Sequence, residues 1–174
     1  QAVGRLASRD RQIYFEYDQA FIDQGLALSP LHLPLKPGLQ WFKRELFEGL
    51  PGVFNDSLPD GWGRLLFDRF VRSQGVLPAA ITVLDRLAYV GSHALGALIF
   101  EPDYSTDATG DVGLHALATQ AQAVLDGASD DSLAALIALN GSSAGARPKA
   151  LIGVNDKRDH IIHGMTTLPK GYTP

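Results

Sequence analysis

The apolar residues of this chain change period part-way along it. In Gln12-Ile13-Tyr14-Phe15-Glu16-Tyr17-Asp18, the residues Ile13, Phe15 and Tyr17 share one face and Gln12, Glu16 and Asp18 share the other, the alternation of a half-buried strand. From Trp62 onward, Trp62, Leu65, Leu66 and Phe70 recur at helical spacing, with Arg64/Asp68 and Asp68/Arg72 as i,i+4 pairs on the polar side. A chain with both periods in separate stretches has to bury sheet faces and helix stripes together, which predicts an α+β fold.

Local signals place the remaining elements. Arg5-Leu6-Ala7 is positioned to pair with the first strand as a hairpin, and a short helix is expected over Gln19 to Asp23. The three prolines of LSPLHLPLKPG forbid a helix there and favour an ordered loop or edge strand. Asp56 and Ser57 are natural N-caps for the helix that follows, with Pro59 and Asp60 in its first turn and Gly75 ending it. A shorter helix is expected around Ala79 to Leu87, then a turn at Gly91-Ser92-His93 leading into a strand over Gly96 to Phe100. Residues 103–113, rich in Asp, Thr and Gly, read as a linker between a domain over 1–102 and a second over 114–174. Beyond it, Leu114, Leu117, Ala118, Ala121, Val124 and Leu125 form one apolar stripe ending at Gly127, and Leu133, Leu136 and Ile137 form another. Lys149 to Val154 and His160 to His163 then predict two antiparallel strands joined by a polar turn at Asn155 to Asp159.

Charge and composition narrow the function. The 174 residues are 45% hydrophobic, enough for a core, and their net charge of −4 argues against a broad basic surface for nucleic acid or an anionic membrane. There is no cysteine, which removes disulfides and thiolate chemistry and makes the cytoplasm the default compartment. No apolar run approaches the about 20 residues needed to cross a bilayer. The five histidines lack a useful ligand spacing, so no metal site is expected in the chain. No G-x-S-x-G elbow is present, and Ser142 and Ser143 have no identifiable His/Asp partner. Trp62, Phe67 and Phe70 follow core periodicity without interleaved basic residues, so they read as packing and not as a base-stacking platform. Asp60 and Arg64, flanking Trp62, are candidates for a functional role, with a cap and a salt-bridge partner as the simpler reading.

The stretch NGSSAGARPK, residues 140–149, combines bare backbone with the charges of Arg147 and Lys149. Amides unshielded by side chains and curved around a concavity bind anions, so the stretch is a candidate phosphate loop; the alternative is a flexible connector. It lies between a helix and a strand and has no Gly-Lys-Ser/Thr, which excludes the Walker A arrangement. A glycine-rich cover opening into a β-hairpin is nearer the protein-kinase plan.

Three segments together carry a family resemblance. PGVFNDSLPDGWGRLL resembles the signature of HipA-type proteins, LAYVGSHALGALIFEP resembles a second segment of that family, and SSAGARPKALI resembles its glycine-rich nucleotide loop, with order and spacing in agreement. The opening YFEYDQAFIDQGLALSPLHLPL is also similar to the family's N-terminal region. HipA proteins are serine/threonine kinases with a phosphatidylinositol-kinase-like core, commonly the toxin of a bacterial toxin–antitoxin pair.

The resemblance implies a HipA N-terminal subdomain over 1–102 followed by the start of a kinase N-lobe over 114–174. It implies that Ala144, Gly145, Ala146, Arg147, Pro148 and Lys149 line the ATP phosphates. Ser142 matches the loop serine that the family autophosphorylates, with Ser143 as the neighbouring second choice. It further implies ATP and Mg²⁺ as cofactors, a HipB-like DNA-binding antitoxin as partner, contact with DNA only through that partner, and a protein substrate such as an aminoacyl-tRNA synthetase. The ATP-binding lysine, the catalytic Asp/Asn loop and the metal-binding Asp of the family are expected beyond residue 174, so the chain reads as an N-terminal fragment, inactive by itself. The other class in view is a non-catalytic module that docks on a kinase or an antitoxin.

Overall fold

The computed structural model describes residues 1–105, 114–127, 133, 136–137, 145–149, 152–163 and 168–173. The chain divides into two compact units, one of residues 1–57 with 83–85, the other of residues 58–82 with 86–174.

The first unit is built on a three-stranded antiparallel sheet in the order β1-β2-β3, with β1 Gly4–Arg9, β2 Gln12–Tyr17 and β3 Gln40–Trp41. Strands β1 and β2 pair with Leu6 opposite Phe15, and Asp10 and Arg11 form the two-residue turn with φ of 51° and 63°, the left-handed pair that matches the twist of a hairpin. Ile13, Phe15 and Tyr17 are buried, as their alternation predicts. Gly4 has no side chain because the Phe15 ring lies 2.7 Å from where its Cβ would be. Asp18 caps α1, Gln19–Ile22, by accepting a hydrogen bond from the Ala20 amide at 2.9 Å.

The proline-rich stretch is an ordered loop, held from two sides. The Tyr17 hydroxyl donates to the Leu33 carbonyl at 3.1 Å, Gln40 Nε2 donates to the Pro34 carbonyl at 3.0 Å, and Leu33 is fully buried. Phe47, Glu48 and Gly49 then turn through three consecutive left-handed residues before α2, Gly52–Asn55. Phe54 of α2 packs on Phe15 with ring centroids 4.9 Å apart, which closes the core of this unit.

The second unit begins with α3, Gly61–Ser73. The expected caps are corrected here: Asp56 is the C-cap of α2, and Asp60, not Asp56 or Ser57, occupies the N-cap position of α3. Gly75, at φ 77°, follows the end of the helix as expected. The next helix, α4, covers Val83–Val90, later than the Ala79 to Leu87 expectation, because Pro78–Ala80 form a separate 3₁₀ turn. Its first turn is counted with the first unit.

The strand expected over Gly96 to Phe100 does not form. Its flanking amides turn back to the end of α4: Phe100 N–H donates to Gly91 O at 3.2 Å and Tyr104 N–H to Ala88 O at 2.8 Å. The Asp103 carboxylate secures the same turn, accepting from the amides of Ser92 at 3.0 Å and Ser105 at 2.9 Å. Burial alone would raise its pKa, but the hydrogen bonds from the Ser105 and Ser92 hydroxyls and amides outweigh this and lower it to about 2.

Helix α5, Leu114–Leu125, completes the core of the second unit. Trp62 and Leu66 of α3 pack with Ala121 and Val124 of α5 and with Leu133 and Leu136. Arg69 Nη1 of α3 donates to the Val124 carbonyl, placing a cation at the C-terminal end of α5 where exposed carbonyls favour it. The i,i+4 pairing expected at Asp68 is absent: its Oδ1 is buried without a hydrogen-bond partner.

A second antiparallel sheet follows in the order β5-β4-β6, with β4 Ile152–Asn155, β5 Ile161–His163 and β6 Tyr172–Thr173. The β4–β5 hairpin matches the expected pairing. Asn155 organises its turn, with Oδ1 accepting from the Asp159 and His160 amides at 3.0 and 3.1 Å.

Candidate functional site

Each of three consecutive residues at the start of α3 makes its own contact with Gly145. The Asp60 carboxylate accepts a hydrogen bond from the Gly145 amide at 2.5 Å. Gly61 has φ 45°, and a Cβ there would fall among the backbone atoms of Gly145 and Ala146, so only glycine satisfies both the conformation and the space. The Trp62 amide donates to the Gly145 carbonyl at 2.9 Å, while its indole is buried in the core. Both backbone polar groups of Gly145 are therefore satisfied by a helix terminus 85 residues away in sequence.

Asp60 occupies the N-cap position in the extended conformation usual there, yet its side chain makes no capping bond to its own helix. Helix N-termini carry unpaired amides and a partial positive charge, so the Asp60–Gly145 contact is favourably placed for an anion. Lys149 adds a full positive charge: its Nζ lies over the Cα of Gly145, on the side where a side chain at 145 would project. Gly145 is at φ 118°, a backbone that glycine adopts freely.

Of the residues singled out in the sequence, Gly145 and Lys149 are half-buried and together at this point, whereas Ala146, Arg147 and Pro148 are exposed. Ser142, Ser143 and Ala144 lie outside the described residues. A cavity of about 270 Å³ adjoins the loop, lined by Trp62, Ala121, Leu125, Leu136, Pro148 and Lys149 among others. Its walls are apolar except at Gln122 and Lys149.

Asp60 takes the N-cap position that the simpler sequence reading gave it, but its carboxylate bonds to Gly145 and not to its own helix. An Asp before a helix is ordinarily a cap, and no local spacing connects it with a glycine so far along the chain. The signal lay in two glycine-containing motifs, DGWGR and SSAGARPK, of which the fold brings Asp60, Gly61 and Trp62 to Gly145.

The family model of the HipA N-terminal domain matches residues 1–101. The chain belongs to the HipA family. No curated protein and no solved structure matches it. The HipA match includes the DGWGR motif and α4, while residues 140–149 lie C-terminal to it. Among the described residues, no helix is long and apolar enough to cross a membrane.

Proposed function

We propose that this chain belongs to a HipA-type serine/threonine protein kinase and contributes its glycine-rich nucleotide loop. In this reading a substrate hydroxyl attacks the γ-phosphorus of Mg-ATP and the bond to the ADP oxygen breaks, the hydroxyl proton passing to a base outside these residues. Ala144 to Lys149 line the triphosphate, with the Gly145 amide and Lys149 supplying donors and charge. The observation that carries the proposal is the Gly145 amide already engaging a carboxylate oxygen with the Lys149 ammonium beside it, an environment suited to an anion. Family membership supports the same reading.

Ser142, with Ser143 as second choice, is the proposed autophosphorylation site. A phosphoserine adds about −1.5 to −2 charges where the loop needs net positive charge for ATP, so modification should expel the nucleotide. The test is a titration with Mg-ATP followed at the Gly145 and Ala146 amides. Shifts that saturate in the wild type and disappear in Ser142→Asp support the proposal, and amides that stay still in the wild type refute it.

The protein substrate, of which an aminoacyl-tRNA synthetase is the family example, the HipB-like antitoxin and a cytoplasmic location come to this chain only with the family reading. A second reading is favoured by the confinement of the family match to residues 1–101: a non-catalytic module that docks on a kinase or an antitoxin. Persistent binding to such a partner by a chain with Gly145 substituted, together with no response to nucleotide, would favour it.

A further inference from the structure

We infer that Asp60 is a built-in occupant of the loop's anion position, holding the Gly145 amide until a phosphate displaces it. The inference rests on the loop being a phosphate cradle, as proposed above. Three observations point to displacement in place of simple support. First, Asp60 stands at an N-cap, but its carboxylate is directed across to the loop and makes no bond to its own helix. Second, the contact reproduces the surroundings of a phosphate oxygen, with a backbone amide as donor and the Lys149 ammonium on the neighbouring face. Third, the loop does not need the carboxylate to stay seated: the Trp62 amide holds the Gly145 carbonyl and Gly61 leaves room for the close approach, both without Asp60.

One N–H cannot donate at full strength to two anions, and a carboxylate beside a bound triphosphate adds like-charge repulsion. Nucleotide entry therefore requires Asp60 to let go, and the affinity of the loop is lowered by the strength of the contact it gives up. Hydrogen bonds to charged groups are among the stronger ones in proteins, so removing the competitor is expected to tighten binding by about tenfold.

The experiment compares the wild-type chain with Asp60→Asn, which keeps the shape of the side chain and removes its charge. Each is titrated with Mg-ATP and, separately, with inorganic tripolyphosphate while the Gly145 amide is followed by NMR. The expected result is about tenfold tighter binding of both ligands by Asp60→Asn. In the wild type alone, with no variant needed, the Asp60 carboxyl carbon signal should shift in step with the Gly145 amide as ligand is added. Equal or weaker binding by Asp60→Asn, or a Gly145 response with Asp60 unmoved, overturns the inference and leaves the phosphate cradle standing. Failure of both proteins to bind either ligand overturns the cradle and the inference together.

Discussion

The Cα of Gly61 faces the backbone of Gly145 so closely that a Cβ built on it would lie 2.6 Å from the Gly145 carbonyl carbon and 2.8 Å from Ala146 Cα. Gly75, also left-handed at φ 77°, has nothing within 4 Å of the same position. The two glycines separate the cost of conformation from the cost of collision. Gly75→Ala should lose about 1 kcal/mol, the left-handed penalty alone. Gly61→Ala should lose that amount plus the displacement of the loop, about 2–4 kcal/mol in all. Urea unfolding of the two variants checks the order.

Trp62 is almost wholly buried between α3 and α5. Trp62→Ala should destabilise the second unit by about 3–5 kcal/mol through lost burial and the cavity left behind. Because the Trp62 amide also holds Gly145, and that bond belongs to the backbone, the loop contact should weaken only as far as the start of α3 shifts. Denaturant unfolding and hydrogen exchange at residues 62 and 145 measure the two effects separately.

Asp103 provides a test by acid. Its pKa is about 2 in the folded protein against an ordinary 3.8, so its carboxylate favours the folded state at any pH above the ordinary value. That contribution is lost as pH falls from about 4 through the folded value. The amides of Ser92 and Ser105 should titrate together in this window, and Asp103→Asn should abolish the shared transition. An unchanged transition in the variant would assign it elsewhere.

Tyr17 gives the opposite test. Burial raises its pKa above the ordinary 10.0, with a backbone hydrogen bond at Leu28 partly offsetting the rise. The hydroxyl must stay protonated to donate to Leu33, so its contribution is complete below pH 10 and is lost as pH climbs through the folded value. Tyr17→Phe should cost about 1 kcal/mol at neutral pH and remove this alkaline sensitivity. Stability curves at neutral and alkaline pH compare the two proteins.

What the sequence made legible was whatever depended on near neighbours. The alternation of Ile13, Phe15 and Tyr17, the stripe from Trp62 to Phe70 and the β4–β5 hairpin are each written within a dozen residues, and each forms. Gly96 to Phe100 has the apolar composition of a strand, but a strand requires a partner, and its flanking amides bond to the end of α4 instead. The two-residue strands β3 and β6 carry too short a pattern to be read. At the candidate site, the small residues and positive charges of the loop stood out in the sequence, whereas the carboxylate that meets Gly145 was hidden by its distance along the chain and by its resemblance to an ordinary cap.

The packing of α3 against α5 also fixes an order of events during synthesis. Trp62 and Leu66 leave the ribosome well before Val124, Leu133 and Leu136, the residues that cover them, and the stretch that presents Gly145 comes later still. Until then an amphipathic segment with a large aromatic ring is without its native neighbours, the state in which nascent chains aggregate or recruit chaperones. The contacts that complete this core are non-local, so they form only after most of the unit has been made.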